Sequence, residues 1–181
     1  MIDKDKELIA DLKTEGKREL AFQQLVKTYQ QRLYWHIRKI VVSHDDADDL
    51  MQNVFIKVWK NIDHFREDSS LFTWLFRIAT NESLSFLQQK KRRNIFSVDG
   101  VSDYLVETFE SGTNFEGEEL QKRLQVAVLK LPEKQRLVFN MKYYDEMKYE
   151  EMAEILKTSV GALKASYHHA VKKIEAHFEG E

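Results

Sequence analysis

The sequence predicts an all-α fold of two small helical domains joined by an acidic linker, with a helix-turn-helix in the second domain. Apolar residues recur at helical spacing along most of the 181 residues, which is the main sequence signal for amphipathic helices. Strand-like alternation bounded by turn residues is nearly absent. Glycine occurs only six times and proline once, so few residues interrupt these helices.

The overall composition is that of a globular protein, with 43% hydrophobic and 32% charged residues. No apolar run approaches the roughly 20 residues that a membrane helix needs. The charged N-terminus has no signal-peptide core. Cysteine is absent, which excludes disulfides, thiolate metal sites and a cysteine nucleophile. We therefore expect a cytoplasmic protein.

Charge and periodicity divide the chain into parts. No Lys or Arg occurs from 94 to 121, a stretch that carries seven acids, and its first part has no sustained helical period. We therefore predict an acidic linker at 94–116 between domains at 1–93 and 117–181. The helices are expected at roughly 3–14, 17–42, 45–62, 70–92, 117–130, 132–144, 149–156 and 160–178.

The third predicted helix has two different faces. One collects apolar residues at helical spacing and is expected in the core: Ala47, Leu50, Met51, Val54, Val58 and Ile62. The neighbouring face presents acids, an amide and two apolar residues: Asp48, Asp49, Gln52, Ile56 and Trp59. Two interpretations of Trp59 stay open. It anchors a partner protein, or it folds against the preceding long helix through Phe22 or Tyr29.

The fourth predicted helix combines an apolar face with a polar one. Trp74 lies on the apolar face, so we expect it in the core. The opposite face is lined mainly by hydrogen-bonding side chains: Thr73, Arg77, Thr80, Asn81, Leu84 and Gln88. The helix ends in four consecutive cations, Lys90 to Arg93. Donors along one face and a terminal basic cluster suit a nucleic-acid backbone.

The C-terminal segment has the spacing of a helix-turn-helix. A short helix at 149–156 is followed by a three-residue turn, and Ser159 is a good N-cap for the last helix. Opposite its apolar stripe, that last helix presents small residues first and cations further along. Small residues let a helix approach bases closely, and cations can meet phosphates. The alternative is a solvated helix with a basic tail.

Three segments, taken in order, resemble the ECF-type (extracytoplasmic function) bacterial sigma factors. They read "DADDLMQNVFIKVWKNIDHF", "FTWLFRIATNESLSFLQQKKRR" and "LPEKQRLVF…YEEMAEIL…SVGALKASYHHAVKKI". The resemblance implies that the first domain is sigma region 2, which docks on the β′ clamp of core RNA polymerase, melts the promoter and reads its −10 element. The second domain would be region 4, which reads the −35 element and binds the β flap. The acidic linker would thread toward the polymerase channels.

The resemblance also implies roles for individual residues. Those expected to bind core polymerase are Asp48, Asp49, Gln52, Asn53, Ile56 and Trp59. Those expected at the −10 element are Phe65, Arg66, Ser69, Arg77, Asn81, Gln88, Lys90, Lys91, Arg92 and Arg93. The loop at 65–70 would shape a pocket for an extruded base. Those expected at the −35 element are Ser159, Gly161, Ala162, Lys164, Ala165, Ser166, His168, His169, Lys172 and Lys173.

The sequence departs from the family pattern at three positions. The family commonly has arginine at the positions of Ser166 and His169, and glycine at the position of Lys157. Because two fixed cations are missing, we expect the last helix to bind phosphates more weakly and to recognise the −35 element differently. The fold is expected to be the same.

Two other functions compete with this interpretation. A helix-turn-helix regulator that does not bind polymerase explains the C-terminal motif but leaves the segment at 46–59 and the −10-like helix unexplained. A metal-dependent hydrolase would use His44 with the acids at 45–49, but no second ligand cluster completes such a site, and acids are favoured at a helix N-terminus by its dipole. We therefore expect no enzymatic activity, no cofactor and no metal. The expected partners are core RNA polymerase, promoter DNA and an anti-sigma factor.

Overall fold

The structure is a computed structural model that describes residues 2–92, 101–112 and 119–179. Within these ranges the chain forms nine α-helices and no strand, which confirms the predicted all-helical class. A 3₁₀ turn follows α3 and a π-helical turn, Asn140–Tyr144, follows α7. The helices are α1 Ile2–Leu12, α2 Arg18–Val41, α3 His44–Asn61, α4 Leu71–Arg92, α5 Val101–Ser111, α6 Glu119–Leu129, α7 Glu133–Phe139, α8 Tyr149–Leu156 and α9 Val160–Glu179.

Helix α5 lies inside the segment that the sequence predicts as a linker without regular structure, and that part of the prediction is wrong. Its apolar residues Tyr104, Leu105 and Phe109 share one face, but the pattern extends over less than two turns, too little to stand out as a period. Leu105 is fully buried, so the helix is held by packing rather than by its local sequence. The remainder of the predicted linker, at 94–100 and 113–116, lies outside the described residues.

Serine side chains fix where three of the helices begin. The Ser43 hydroxyl accepts a hydrogen bond from the Asp46 backbone N–H, and Ser70 accepts one from the Thr73 N–H at 3.1 Å. Ser159 accepts from the Ala162 N–H at 3.2 Å, which confirms its predicted role as the N-cap of α9. Each cap satisfies one of the N–H groups that a helix end leaves unpaired.

The N-terminal half, residues 2–92, is built around α2, α3 and α4, which all pack against one another, while α1 lies against α2. The expected core face of α3 is buried except for Met51, which is partly exposed. No helix in the described ranges combines the length and apolar character that crossing a membrane would require.

The C-terminal half, residues 119–179, packs α6, α7 and α8 around α9. A charged residue, Arg136, is buried in this half and is only 4% exposed. The guanidinium donates to the carbonyl oxygens of Leu129 and Leu131 at 3.1 and 3.3 Å. Burial lowers the pKa of Arg136 from its usual value. Its hydrogen bonds cover carbonyls at the end of α6, which would otherwise be unpaired in the core.

The two halves pack against each other. Helix α8 lies against α4, and one continuous set of buried side chains runs from α1 through α4 into α7, α8 and the start of α9. A smaller cluster between α6, α7 and α9 belongs to the C-terminal half alone. The sequence makes no prediction about the relative placement of the halves.

A cluster of buried polar groups joins the halves, and we call it the Asp145 cluster: Asp145, His36, Lys39 and Thr80. One Asp145 carboxylate oxygen lies 2.6 Å from His36 Nδ1, and the other accepts from Lys39 Nζ at 2.6 Å. The second ring nitrogen of His36 lies 2.8 Å from Thr80 Oγ1. Asp145 and His36 have side chains only 6% and 1% exposed. A buried carboxylate is tolerated because both of its oxygens are paired.

The same contacts set the pKa of Asp145. Burial by itself raises the pKa of this carboxyl, but the hydrogen bonds and charges of His36 and Lys39 outweigh it and hold the pKa below its usual value. A carboxyl whose pKa is lower in the folded state stabilises the fold at any pH above its unfolded pKa of about 3.9. That contribution is lost as the pH falls through the folded pKa.

We predict that Asp145→Asn lowers the free energy of unfolding by about 2 kcal/mol near neutral pH, because a neutral amide replaces the charged acceptor that pairs with His36 and Lys39. The difference from the unmodified protein should narrow as the pH falls below the unfolded carboxyl pKa of about 3.9, because Asp145 then becomes neutral in the unmodified protein as well. Urea unfolding followed by circular dichroism measures it. A difference that widens in acid would contradict the proposed charge state of Asp145.

Candidate functional site

The outer face of α3 is the side turned away from the core, and we define it by Asp48, Asp49, Gln52, Asn53 and Ile56. All five side chains are exposed. Ile56 keeps 50% of its surface accessible, although it is a large aliphatic residue. Acids and amides surround this apolar residue, so the face offers charge, hydrogen bonds and apolar area to a partner. The structure thus brings together five of the six residues expected to bind polymerase.

Trp59, the sixth of these residues, folds against α2. Its ring packs edge-on against Phe22, with the centroids 5.0 Å apart, and the Arg18 guanidinium lies 4.6 Å from the ring centroid. Arg18 also donates to the Trp59 carbonyl oxygen at 2.6 Å. The alternative that Trp59 packs on the long helix through Phe22 is therefore confirmed, while Tyr29 bonds to Asp5 instead. The ring is half-buried, and its polymerase contact stays a prediction.

The acids at the start of α3 have structural partners. Asp45 and Asp46 lie in the first turn of the helix, where the dipole favours them. Asp46 pairs with Lys90 at 2.7 Å, and Asp48 lies 3.5 Å from His44 Nε2. Across the described ranges, no three His, Asp or Glu side chains are grouped so that they could hold a metal ion. The hydrolase alternative thus gains no support from this geometry.

The loop at 65–70 requires one correction. Phe65, expected to contact DNA, is only 4% exposed and packs against Trp74, with the ring centroids 5.0 Å apart and the ring planes tilted by 38°. An aromatic residue next to a polar loop looks accessible in sequence, but here it anchors the loop to α4. Lys13, the residue after α1, holds the same loop, because its ammonium donates to the Phe65 carbonyl oxygen at 2.9 Å and pairs with Glu67. Arg66 is exposed and Ser69 partly exposed.

A cleft of about 320 Å³ opens between the end of α3 and the middle of α4, next to this loop. We call it the α3–α4 cleft, and its lining is aromatic, polar and charged: Lys57, Asn61, His64, Trp74, Ile78, Asn81 and Glu82. Asn81 is exposed there as expected. Trp74, expected in the core, is only half-buried and forms part of the wall.

Sequence reasoning misses an ion pair at this cleft. Glu82 falls within the apolar sector of α4 in sequence and has no evident role there. In the structure its carboxylate pairs with Lys57 of α3. The two residues are 25 positions apart, so only the packing of α3 against α4 reveals the pair. An acid in an apolar sector was the available signal that a cation lies opposite.

The polar face of α4 is less exposed than its pattern indicates. Thr73 and Thr80 are both 1% exposed, because α4 is covered by α8 as well as by α2 and α3. Arg77 is half-buried, and its Nε atom has no hydrogen-bond partner among the described residues. Gln88 is exposed. Asn81 and Gln88 are therefore the α4 side chains of this face best placed to meet DNA.

The basic end of α4 is partly engaged within the protein. Lys90 donates to Asp46 Oδ2 and to the Tyr104 hydroxyl of α5, both at 2.7 Å. Burial by itself lowers the pKa of Lys90, but Asp46 and Tyr104 outweigh it and raise the pKa. Two of the three Lys90 ammonium donors are therefore engaged within the protein, and its expected phosphate contact stays a prediction. Lys91 is partly exposed and Arg92 exposed; Arg93 lies outside the described residues.

Helices α8 and α9 pack against each other across a three-residue turn, as the helix-turn-helix prediction requires. Lys157 ends α8 in the left-handed conformation, with φ at 50°. This position therefore keeps the backbone geometry that favours glycine, at a cost of about 1 kcal/mol for a residue with a side chain.

The residues expected at the −35 element are all exposed or partly exposed along α9 and its cap. A Cβ placed on Gly161 would meet no atom within 4 Å, so the N-terminal end of the helix is open for close approach. The cations follow further along the helix. Lys164 lies with its ammonium 5.7 Å from the ring centroid of Tyr149 in α8, a neighbour that the sequence pattern does not identify.

Comparison with known proteins agrees with this geometry. Residues 25–93 match the family model for sigma-70 region 2, and residues 121–174 match that for sigma-70 region 4. The ECF RNA polymerase sigma factor SigW of Bacillus subtilis is 32% identical over 157 residues, covering 82% of this chain and 83% of that protein. The ECF RNA polymerase sigma-E factor of Escherichia coli K12 is 34% identical over 166 residues, covering 86% and 85%.

Solved structures show the same fold. CnrH in complex with the cytosolic domain of CnrY matches with a TM-score of 0.71 and 23% identity, covering 98% of both chains. The sigma factor RpoE in complex with the anti-sigma factor NepR from Bartonella quintana matches with a TM-score of 0.67 and 22% identity, covering 87% of this chain and 96% of that one.

The match to region 2 covers the segment that a regulator independent of polymerase leaves unexplained. Together, the two family models and the relatives support the sigma-factor interpretation over that alternative. The chain belongs to the ECF-type sigma factors, which bind core RNA polymerase and direct it to promoters.

Proposed function

We propose that this sigma factor divides its work among three surfaces. The outer face of α3 docks on the β′ clamp of core polymerase. The α3–α4 cleft receives an unstacked base of the −10 element. The exposed side of α9 reads the −35 element. The observation that carries this proposal is the outer face of α3, where an exposed Ile56 lies among acids and amides on a helix whose other side is core.

The chemistry of the outer face indicates the kind of surface it fits. Asp48 and Asp49 can pair with basic side chains on a partner helix, since charge-assisted hydrogen bonds to carboxylates are strong and directional. Ile56 supplies apolar area at the centre, where binding energy is concentrated in most interfaces. The half-buried Trp59 supports this face from below through Phe22 and Arg18.

The α3–α4 cleft suits promoter melting. An opened duplex needs a favourable place for an unstacked base, and a pocket of aromatic and polar groups provides it. Trp74 offers an aromatic surface, and the Asn81 amide can both donate to and accept from a base edge. The buried Phe65 holds the adjacent loop in place. Arg66, Lys91 and Arg92 are then available to neighbouring phosphates.

The last helix provides the −35 contacts. Gly161, Ala162 and Ala165 leave room for bases at its N-terminal end, and Lys172 and Lys173 can meet phosphates further along. Ser166 and His169 stand where the family commonly has arginine, so fewer fixed cations hold the backbone. Binding at the −35 element should therefore be weaker and depend less steeply on salt.

The relatives suggest the setting in which the protein acts. One solved relative is described as bound to an anti-sigma factor, and we extend such a partner to this chain, where it would cover the polymerase-binding face. The acidic linker would enter the positively lined channels of polymerase. The protein would act in the cytoplasm with RNA polymerase, without catalysis or a cofactor of its own.

We predict that Ile56→Asp weakens binding to core polymerase by about tenfold or more, because it places a charge at the apolar centre of the outer face. Competition binding to purified core polymerase lacking a sigma subunit measures the affinity, and run-off transcription from a promoter library measures the consequence. Helical content by circular dichroism should be unchanged.

Leu20→Asp is the matched control. Leu20 is a 71% exposed aliphatic residue of α2, about 200° around that helix from the side that faces α3 through Phe22. Its replacement should leave core binding within about twofold. Equal affinities of the two variants would show that the outer face of α3 is not the docking surface.

We predict that Asn81→Ala slows promoter opening by about tenfold while core binding changes less than about twofold, because the cleft loses the amide that meets the base edge. Permanganate reactivity of unpaired thymines measures opening. Ser85→Ala, an exposed position one turn further along α4, should have no effect. An Asn81→Ala protein that opens promoters normally, or that loses core binding equally, would contradict the role of the cleft.

A further inference from the structure

The Asp145 cluster is the main polar connection between the halves. Asp145 comes from the C-terminal half, whereas His36 and Lys39 come from α2 and Thr80 from α4. Every polar atom of the Asp145 carboxylate and the His36 ring has a partner within the cluster. None of these side chains belongs to the proposed polymerase or DNA contacts.

The local backbone places Asp145 for this contact. It directly follows the π-helical turn at 140–144, and its own N–H bonds back to the Asn140 carbonyl at 3.1 Å. Asn140 adds a second connection, since its amide donates to the Lys39 carbonyl oxygen at 3.3 Å. A π turn widens the helix by one residue, and such turns are common where a side chain must be aimed. The turn therefore delivers two polar groups onto one side of α2.

With its two halves packed together, the chain is too short to contact the −10 and −35 elements at the same time. The centres of the −10 and −35 elements are about 25 base pairs apart, or about 85 Å at a rise of about 3.4 Å per pair. A compact chain of this length has a radius of gyration of about 16 Å and hence a diameter of about 40 Å. The exposed sides of α4 and α9 remain accessible, but they cannot reach both elements together.

The chemistry of the cluster suits a reversible contact. Paired buried charges add little net stability because their desolvation cost nearly cancels their attraction, yet they strongly disfavour arrangements that leave one of them unpaired. Opening lets water solvate Asp145, Lys39 and His36, so these charges add little to the cost of separating the apolar contact between α4 and α8. Any other packing of the two halves would bury at least one of these charges without a partner. The cluster thus selects one closed arrangement without making it permanent.

We propose that Asp145, His36 and Lys39 form an intramolecular latch that holds the free sigma factor closed without any partner protein, so that it engages both promoter elements only after core polymerase separates the halves. The promoter consequence rests on the proposed function, whereas closure by the latch is a property of the isolated chain. In the same arrangement the Lys90 ammonium of α4 donates to the Tyr104 hydroxyl of α5.

The latch can be tested on the full chain alone. The chain has no cysteine, so Gln24→Cys in the N-terminal half and Ala176→Cys in the C-terminal half, both at exposed positions, carry a donor and an acceptor dye. The labelled protein should show one narrow population of high transfer efficiency. Asp145→Asn should shift a large fraction of molecules to low efficiency. Glu146→Gln removes the same charge at the next, exposed residue and should leave the distribution unchanged.

Transfer efficiency that is the same for Asp145→Asn as for the parent would overturn the latch, as would an equal shift in Glu146→Gln. Should Asp145→Asn fail to fold by circular dichroism, Lys39→Gln decides instead, since it keeps the bond between Asp145 and His36. A smaller shift in the same direction supports the latch, and no shift overturns it.

A second readout separates the latch from the proposed function. An open chain needs no energy for separating its halves, so Asp145→Asn should bind core polymerase several-fold more tightly than the parent. An unchanged or weakened affinity of an opened variant would contradict the claim that the latch opposes polymerase binding. If neither the parent nor any variant binds polymerase, the proposed function is contradicted. The dye measurement would still show whether the two halves pack together in the isolated chain.

Discussion

A buried carboxylate must be paired, and this requirement links the two halves of the chain. Asp145 belongs to the C-terminal half, but its partners His36 and Lys39 lie on α2. The pairing of Asp145 with these two residues places the π-helical turn against α2, and α8 packs on α4 in the same arrangement. The side of α4 that α8 covers belongs to that closed arrangement. Across the described residues the two halves therefore pack as a single body.

Helix α3 shows how one sequence can serve folding and binding together. Its core stripe follows the helical period, and every residue that the period assigns to the core is buried except Met51. The outer face carries groups with no use in the core, and five of them are exposed. Trp59 is intermediate, because it packs on Phe22 and Arg18 while keeping part of its surface accessible. Periodicity identifies such a residue as unusual but does not choose between its neighbours.

The sequence predicts what depends on local pattern. The helices of both halves, the Ser159 cap and the exposed side of α9 follow from spacing and capping chemistry. Contacts between distant residues do not follow: Glu82 meets Lys57 across 25 positions, and Asp145 meets His36 across 109. The resemblance implies a DNA contact for Phe65, yet this residue is buried. Helix α5 was missed because its stabilising contacts lie outside its own short segment.

The central claim is that the isolated chain closes on itself, and small-angle X-ray scattering of the unmodified protein tests it most directly. The purified protein, measured at low concentration without polymerase, DNA or any partner, should have a radius of gyration of about 16 Å, as expected for one compact body of this length. A radius well above about 20 Å, with a scattering profile of two separate bodies, would show that the halves do not pack together and would contradict the account.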